Sequence, residues 1–409
     1  MIRGKALCCA SFVAALLLLS GCGKPLPSTL EVAGNGRVLG GPVLALAGAG
    51  DVVVAANPQG VFIRKGAGSW ERLEVPGIRK PGRVTSLAVS GDVIVVGTRG
   101  EGLHLLSEGT WEVKTARYGG LPDDNVYSLA FDGEDEGLPG TSLWVGTGKG
   151  IARRSDGRWQ VFRPGKDWLR ALAGEAGPGS EDVYVSSRFR LGERGQDARL
   201  FRPPVTAIGV GPERVVFGNR DSRLAVVQPG VFAAMTFDGR YRFSDLLVER
   251  SVIWAGTDKG LLWGGIEGEA LGTPWPPTGI FEFWSGALFG SRDSRTFQYV
   301  WKILGYNTAQ VADLALEGAS LWVAYTSPGG EDLYQPYQRA MTGEAKTSPI
   351  TDVRRYVNIG EYIARLDKPL HESYGSDEGM AGQPTALYVS RRNAEVWIGT
   401  TKGLYRLGN

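Results

Sequence analysis

The chain has 409 residues, with 45 Lys and Arg against 43 Asp and Glu, 60 Gly, 12 Trp, 3 Cys and 2 His. Glycine at about twice its ordinary ~7% share argues against a helical bundle, because Gly costs up to ~1 kcal/mol in a helix interior. A formal charge of +2 gives no footprint for nucleic acid, and two histidines leave little material for zinc sites or Ser-His-Asp chemistry.

Residues 1–21 read as a secretory signal. Arg3 and Lys5 form a basic start, and Ala10 to Leu19 is an apolar run too short to span a bilayer. The run ends in Leu19-Ser20-Gly21-Cys22, which resembles the lipobox of bacterial lipoproteins. That resemblance implies cleavage before Cys22 and acylation of its thiol. Cys8 and Cys9 would leave with the signal, so the mature chain would hold one thiol and no internal disulfide. Residues 22–30 then form the lipidated Cys and a tether. The second mature position is Gly23 rather than Asp, which in familiar Gram-negative systems resembles an outer-membrane destination.

From residue 31 to 409 the chain repeats. Val84-Thr-Ser-Leu-Ala-Val-Ser-Gly-Asp-Val-Ile-Val-Val-Gly-Thr98 is followed by Val126-Tyr-Ser-Leu-Ala-Phe-Asp132 and Leu143-Trp-Val-Gly-Thr147. Ile253-Trp-Ala-Gly-Thr257, Leu321-Trp-Val-Ala324 and Val396-Trp-Ile-Gly-Thr400 come later. Short β-rich runs alternate with hairpin signals at Ser90-Gly91-Asp92, Gly-Thr-x-x-Gly and Ser155-Asp156-Gly157. Three successive hairpins give a four-stranded antiparallel meander of about 40 residues, a propeller blade. The expected fold is all-β, a β-propeller of eight blades with seven or nine as alternatives. In this reading a degenerate fourth unit starts at Leu169 and includes Val183 to Ser187. The segment Gly279 to Val300 is either a blade of its own or part of the sixth unit. Leu30 to Leu39 completes the last blade and closes the ring.

Tyr118-Gly-Gly-Leu-Pro-Asp-Asp-Asn-Val-Tyr-Ser-Leu-Ala-Phe-Asp132, with Leu143 to Thr147 and Gly157-Arg-Trp-Gln-Val-Phe162, closely resembles the two-component regulator propeller repeat family. The resemblance implies a β-propeller that serves as an extracytoplasmic sensing or binding part. No transmembrane helix and no kinase or regulator domain is expected after the propeller, so only the fold and a binding role carry over.

Trp144, Trp254, Trp322 and Trp397 share one place in the second strand and read as packing between blades rather than a binding platform. Gly146-Thr-Gly-Lys-Gly150 lacks the first Gly and the Ser or Thr of a phosphate loop, so no nucleotide is expected. Asp132 to Gly137 lacks the twelfth-position Glu of a calcium loop, and His104 and His371 lack ligand spacing, so no metal or cofactor is expected. The regular pattern lapses over about 326–383, a stretch carrying Tyr334, Tyr337, Arg354, Arg355 and Tyr356 and read as an insertion suited to partner binding. Propeller geometry places Asp124, Asn125, Trp168, Arg170, Tyr306 and Asn307 on one rim, with Arg99, Lys149 and Lys402 on nearby turns. The function these features suggest is a lipid-anchored, non-enzymatic propeller in the outer membrane that binds an envelope protein or glycan. A propeller lyase or hydrolase, or a sensory subunit, is the alternative.

Overall fold

The computed structural model describes residues 29–32, 40–132, 142–165, 168–172, 201–212, 214–228, 231–236, 241–249, 252–266, 299–303, 310–326, 352–357, 371–376, 378–390, 392 and 395–408. They form seven four-stranded antiparallel sheets. Blade 1 runs from Ala45 to Leu73, blade 2 from Val84 to Lys114, blade 3 from Val126 to Phe162 and blade 4 from Val205 to Thr236. Blade 5 runs from Phe243 to Ile303, blade 6 from Gln310 to Tyr374, and blade 7 joins Pro384–Ser390, Glu395–Thr400 and Leu404–Gly408 to the N-terminal strand Thr29–Val32.

The hairpins form where the sequence supplies left-handed residues. Glu108-Gly109 and Asp156-Gly157 adopt φ of 51° and 74°, and 49° and 73°, the paired positive values of a type I′ turn. Such a turn matches strand twist, so each blade is a tight meander. Every apolar cluster lies between neighbouring blades. Trp254, Val311, Leu321 and Tyr325 join blades 5 and 6, while Val43, Phe62, Trp397 and Leu404 join blades 1 and 7. The last contact closes the ring, so no inner strand is left as an open end.

A repeated contact locks neighbouring blades. The second strand of five blades carries a Gly, and a residue at the entrance to the next blade's inner strand packs over it: Val126 on Gly97, Val205 on Gly146, Phe243 on Gly218, Val311 on Gly256 and Val43 on Gly399. Beside each contact a hydroxyl donates to that residue's carbonyl. Thr85 reaches Val126 at 2.6 Å, Ser128 reaches Val205 at 3.2 Å and Thr206 reaches Phe243 at 2.7 Å. Ser244 reaches Val311 at 2.6 Å and Thr385 reaches Val43 at 2.8 Å.

Among the described residues this contact decides for seven blades, one of the expected alternatives to eight. Val205 of blade 4 sits directly on Gly146 of blade 3, so no blade stands between them. The expected fourth unit begins instead with a short helix, Trp168–Leu172, whose Trp168 and Leu172 join Phe201 in the core between blades 3 and 4. Val183 to Ser187 lies outside the described residues. Tyr299–Ile303 is the fourth strand of blade 5, and Thr29–Val32 pairs with Leu404–Gly408 to close blade 7.

The four second-strand tryptophans are all buried. Guanidinium groups cover three of them: Arg153 lies 4.8 Å from the Trp144 ring centre, Arg64 4.9 Å from Trp397, and Arg355 5.6 Å from Trp322. They are packing residues, as the sequence pattern suggests. His104 is buried in blade 2, and desolvation holds its imidazole below the usual histidine range. His371 is exposed on the outer strand of blade 6. Among the described residues no group of three potential metal ligands forms, and no helix is long and apolar enough to cross a membrane.

Gly146→Ala tests the lock. Its new Cβ would meet Ser128 Oγ, the Val205 carbonyl and the Val205 side chain. The expected loss is about 1–3 kcal/mol in urea denaturation, the usual cost of overpacking. A Gly146→Ala/Ser128→Ala double variant should recover only part of it, because the Val205 backbone remains in place.

Candidate functional site

Antiparallel blades put the turn between strands two and three at the same end as the segment leading into strand one. Backbone bonds join these pieces. Arg99 N donates to the Arg83 carbonyl at 2.8 Å, and Gly148 N to Asn125 at 3.0 Å. Between blades, Gly100 N donates to Asp124 at 3.0 Å and Gly41 N to Lys402 at 3.3 Å. This end of the ring, around one mouth of the channel, is the upper face.

The Gly-Thr-x-x-Gly motif builds its turns. The hydroxyls of Thr98, Thr147, Thr257 and Thr400 donate to the carbonyls of Gly102, Gly150, Gly260 and Gly403 at 2.6–3.0 Å. The same oxygens accept N–H bonds from within the turn, from Glu101, Lys149, Lys259 and Lys402. Asn57 and Asn219 replace Thr in blades 1 and 4, where each Oδ1 accepts two turn N–H groups. With the turn's hydrogen bonds met this way, its middle residues point outward.

Those outward residues are cationic. Arg99, Lys149, Arg220, Lys259 and Lys402 are exposed, so five of the six described turns carry a cation and only Pro58-Gln59 does not. The leading segments add exposed Arg83, Arg202 and Arg242. Among the described residues of these turns and leading segments, Asp221, Glu74 and Glu378 are exposed acids, with Glu378 accepting from Gly375 N at 2.6 Å. The others serve backbone N–H groups: Asp124 accepts from Ala116 at 2.7 Å, Asp258 from Arg242 at 2.8 Å and Glu101 from Arg79 at 3.3 Å. The lower face is mixed. Asp51, Asp92, Glu108 and Asp156 are exposed there beside Lys65, Arg158 and Arg392.

At one repeat position the inner strands carry Ala45, Ser86, Ser128, Ala207, Asp245, Asp313 and Ala386. The two acids lie on neighbouring blades. Asp245 Oδ2 accepts from Leu314 N at 2.9 Å, and Asp313 Oδ2 from Leu387 N at 2.6 Å. Each carboxylate thus satisfies an edge N–H of the next blade. The two side chains are also hydrogen bonded to each other. Burial pushes Asp245 up to about 6, and it pushes Asp313 well above the carboxylate range, with the Asp245 charge as the next cause. The pair therefore holds a proton that separate carboxylates would release. The sequence reading missed it, although the signal is present: Asp replaces the Ser of Val-Thr-Ser-Leu and Val-Tyr-Ser-Leu at one repeat position.

The expected rim residues divide. Asp124 and Asn125 are on the upper face but mainly hold turns, with Asn125 Nδ2 donating to Asp123 at 3.1 Å. Trp168 is buried and stacked on Phe201 at 5.8 Å, not on the rim. Arg170 is in the short helix, and its side chain lies outside the described residues, as do Tyr306, Asn307, Tyr334 and Tyr337.

Arg354, Arg355 and Tyr356 are not part of a loop insertion: Val353–Tyr356 and His371–Tyr374 are strands three and four of blade 6. Tyr356 is buried and its hydroxyl meets that of Tyr325 at 2.9 Å. Arg354 pairs with Asp352 at 3.0 Å, and Arg355 with Glu317 at 3.1 Å. These side chains build the blade rather than offer a surface.

No family model and no curated protein matches the sequence. Solved structures do. The extracellular domain assigned to a hybrid two component system of B. thetaiotaomicron superposes with a TM-score of 0.52 at 12% identity, over 94% of this chain and 42% of that one. YCF48 from Cyanidioschyzon merolae gives 0.52 at 11% identity, over 91% and 96%, and YCF48 bound to D1 peptide gives 0.53 at 10% identity, over 94% and 96%. The chain spans less than half of the B. thetaiotaomicron domain. At these identities the likeness is one of fold, the β-propeller.

The buried acid pair gives a pH prediction. Raised carboxylates bind more protons folded than unfolded, so their contribution to stability falls as pH rises from 3.8 through about 6. Asp313→Asn removes the like charge and should raise Tm at pH 7.5 by about 2–4 °C per kcal/mol relieved. The gain should shrink toward pH 5. Calorimetry of both proteins across that range checks it, and His104, common to both, cancels in the difference.

Proposed function

We propose that this protein is a lipid-anchored envelope propeller that binds a protein or glycan partner through its upper face and performs no chemistry of its own. The observation that carries this reading is the set of exposed cations on locked turns around the channel mouth. Rigid turns hold these charges in place before binding, so little ordering is needed when a partner arrives. The Cys22 lipobox supports anchoring, since acyl chains bury methylenes at ~0.8 kcal/mol each. A propeller of similar fold, YCF48, is described bound to a D1 peptide, which supports a protein segment as one kind of partner.

The enzymatic alternative would draw on Asp245 and Asp313. Paired glycosidase carboxylates stand about 5 Å or more apart to flank a sugar, whereas these two hydrogen bond to each other and to backbone N–H groups. That arrangement favours binding over hydrolysis.

Two measurements test the proposal. Cys22→Ala should move the protein from the membrane pellet to the soluble fraction; retention after a carbonate wash would refute anchoring by lipid. Lys149→Glu with Lys259→Glu should weaken partner capture from envelope extracts by about tenfold or more, while Glu108→Lys on the lower face should not. Equal capture by all three proteins would remove the upper face as the binding surface.

A further inference from the structure

The N-terminal strand fixes where an anchored ring would be held. Thr29 pairs with Gly408 and Val32 with Tyr405. The strand Leu404–Gly408 leaves the upper-face turn Thr401-Lys402 and ends at Gly408, so Gly408 and Thr29 lie at the lower face. The chain before Thr29 therefore departs from the lower face at the outer edge of blade 7. From Cys22 to Thr29 it spans at most about 25 Å, at ~3.5 Å per residue. The inner strands alone are about 20 Å tall at ~3.3 Å per residue, and turns extend the ring at both ends. A bilayer holding acylated Cys22 thus meets the lower face. Reaching the upper face would need the tether pulled taut along the whole height.

The cations of the upper face are therefore not a patch for that bilayer. Arg83, Arg99, Lys149, Arg220, Lys259 and Lys402 point the other way. Two features define what suits them. They ring a channel mouth, on five of the six described turns and one leading segment, rather than line a cleft, so they fit a broad surface better than one linear chain. Acids stand among them: Asp221 is exposed beside Arg220, and Glu74 and Glu378 are exposed in the leading segments. A polymer with an acid at every repeat would meet those carboxylates, whereas a protein surface of uneven charge can match both signs.

We infer that the upper face is a docking surface for the acidic face of a folded protein, presented away from the membrane that holds the lipid. The inference rests on the binding reading given above and on lipidation of Cys22 for its direction. Arginine forks and lysine charges on locked turns meet carboxylates at the rim. The lower face, with its own exposed carboxylates, is turned toward the headgroups.

Photo-crosslinking in cells tests this with the full lipidated chain. A photoreactive residue replaces Gln59, the uncharged exposed turn of the upper face, or Asp92 on the lower face. The expected result is a protease-sensitive adduct from position 59, reduced about tenfold or more by Arg99→Glu/Lys149→Glu/Lys259→Glu, with no such dependence at position 92. A protease-resistant adduct would identify a glycan or lipid and overturn the inference. An adduct that survives charge reversal, or no adduct at position 59, would also overturn it. If the triple variant melts below the parent, Lys402→Glu alone serves, and it should still weaken the adduct. Fractionation of the same cells reads the anchor separately. A soluble protein that keeps its charge-dependent adduct would fail on lipidation but not on the docking surface.

Discussion

The ring depends on one close approach. Wherever the second strand carries Gly, a residue at the entrance to the next blade lies against it and its carbonyl takes a bond from a neighbouring hydroxyl. A Cβ at Gly97, Gly146, Gly218, Gly256 or Gly399 would meet that residue. The two remaining blades show the same constraint in reverse. Blades 1 and 6 carry Ala56 and Ala324 in place of Gly, and their inner strands read Leu44-Ala45 and Ala312, without the hydroxyl. Room and hydrogen bond are present together or absent together, so the two act as one device. Five interfaces with this device and two without it, each with its own apolar cluster, add up to a closed ring.

Most of this is legible in the sequence because blades are local objects. Hairpin turns, alternating β-rich runs and the second-strand Trp each declare themselves within about 40 residues. The blade number is less legible, because it depends on which units touch. Leu169 begins a stretch with a plausible repeat phase, yet Trp168 and Leu172 pack as a helical plug between blades 3 and 4. Only the contact of Val205 with Gly146 reveals that the neighbouring units are consecutive blades. The upper-face cations Arg99, Lys149 and Lys402 follow from repeat position alone. Asp245 and Asp313 escape notice because an acid at a strand position looks ordinary until the ring sets it beside its neighbour.

Blade 6 shows how composition misleads when a motif changes. Tyr325 stands where four other blades have the turn-locking Thr and two have Asn. Its ring lies 5.4 Å under the Arg354 guanidinium, and its hydroxyl meets Tyr356. Burial pushes both phenols above their usual range, as expected of hydroxyls enclosed in a core. Tyr374 stacks on Trp322 at 5.6 Å, and Glu317 accepts from Trp322 Nε1 at 2.9 Å and from Arg355 Nε at 3.1 Å. Tyrosine and arginine are also interface residues, and by composition this segment resembles one. Here they fill the volume and polar needs of a blade whose turn chemistry has changed.

The same turn chemistry separates what the fold dictates from what it leaves open. In Gly-Thr-x-x-Gly the hydroxyl meets the turn's donors and its acceptor, and Gly supplies the backbone conformation, with φ of 149° at Gly150 and 114° at Gly260. The intervening side chains take no part in those bonds. Folding alone would leave these positions to drift among small polar residues, as Pro58-Gln59 illustrates. Instead Arg, Lys, Arg, Lys and Lys occupy them in five blades whose other turns are mixed in charge. A position that the backbone does not need, yet carrying a cation in five of the six described turns around one mouth of the channel, is where this sequence speaks about its partner rather than its fold.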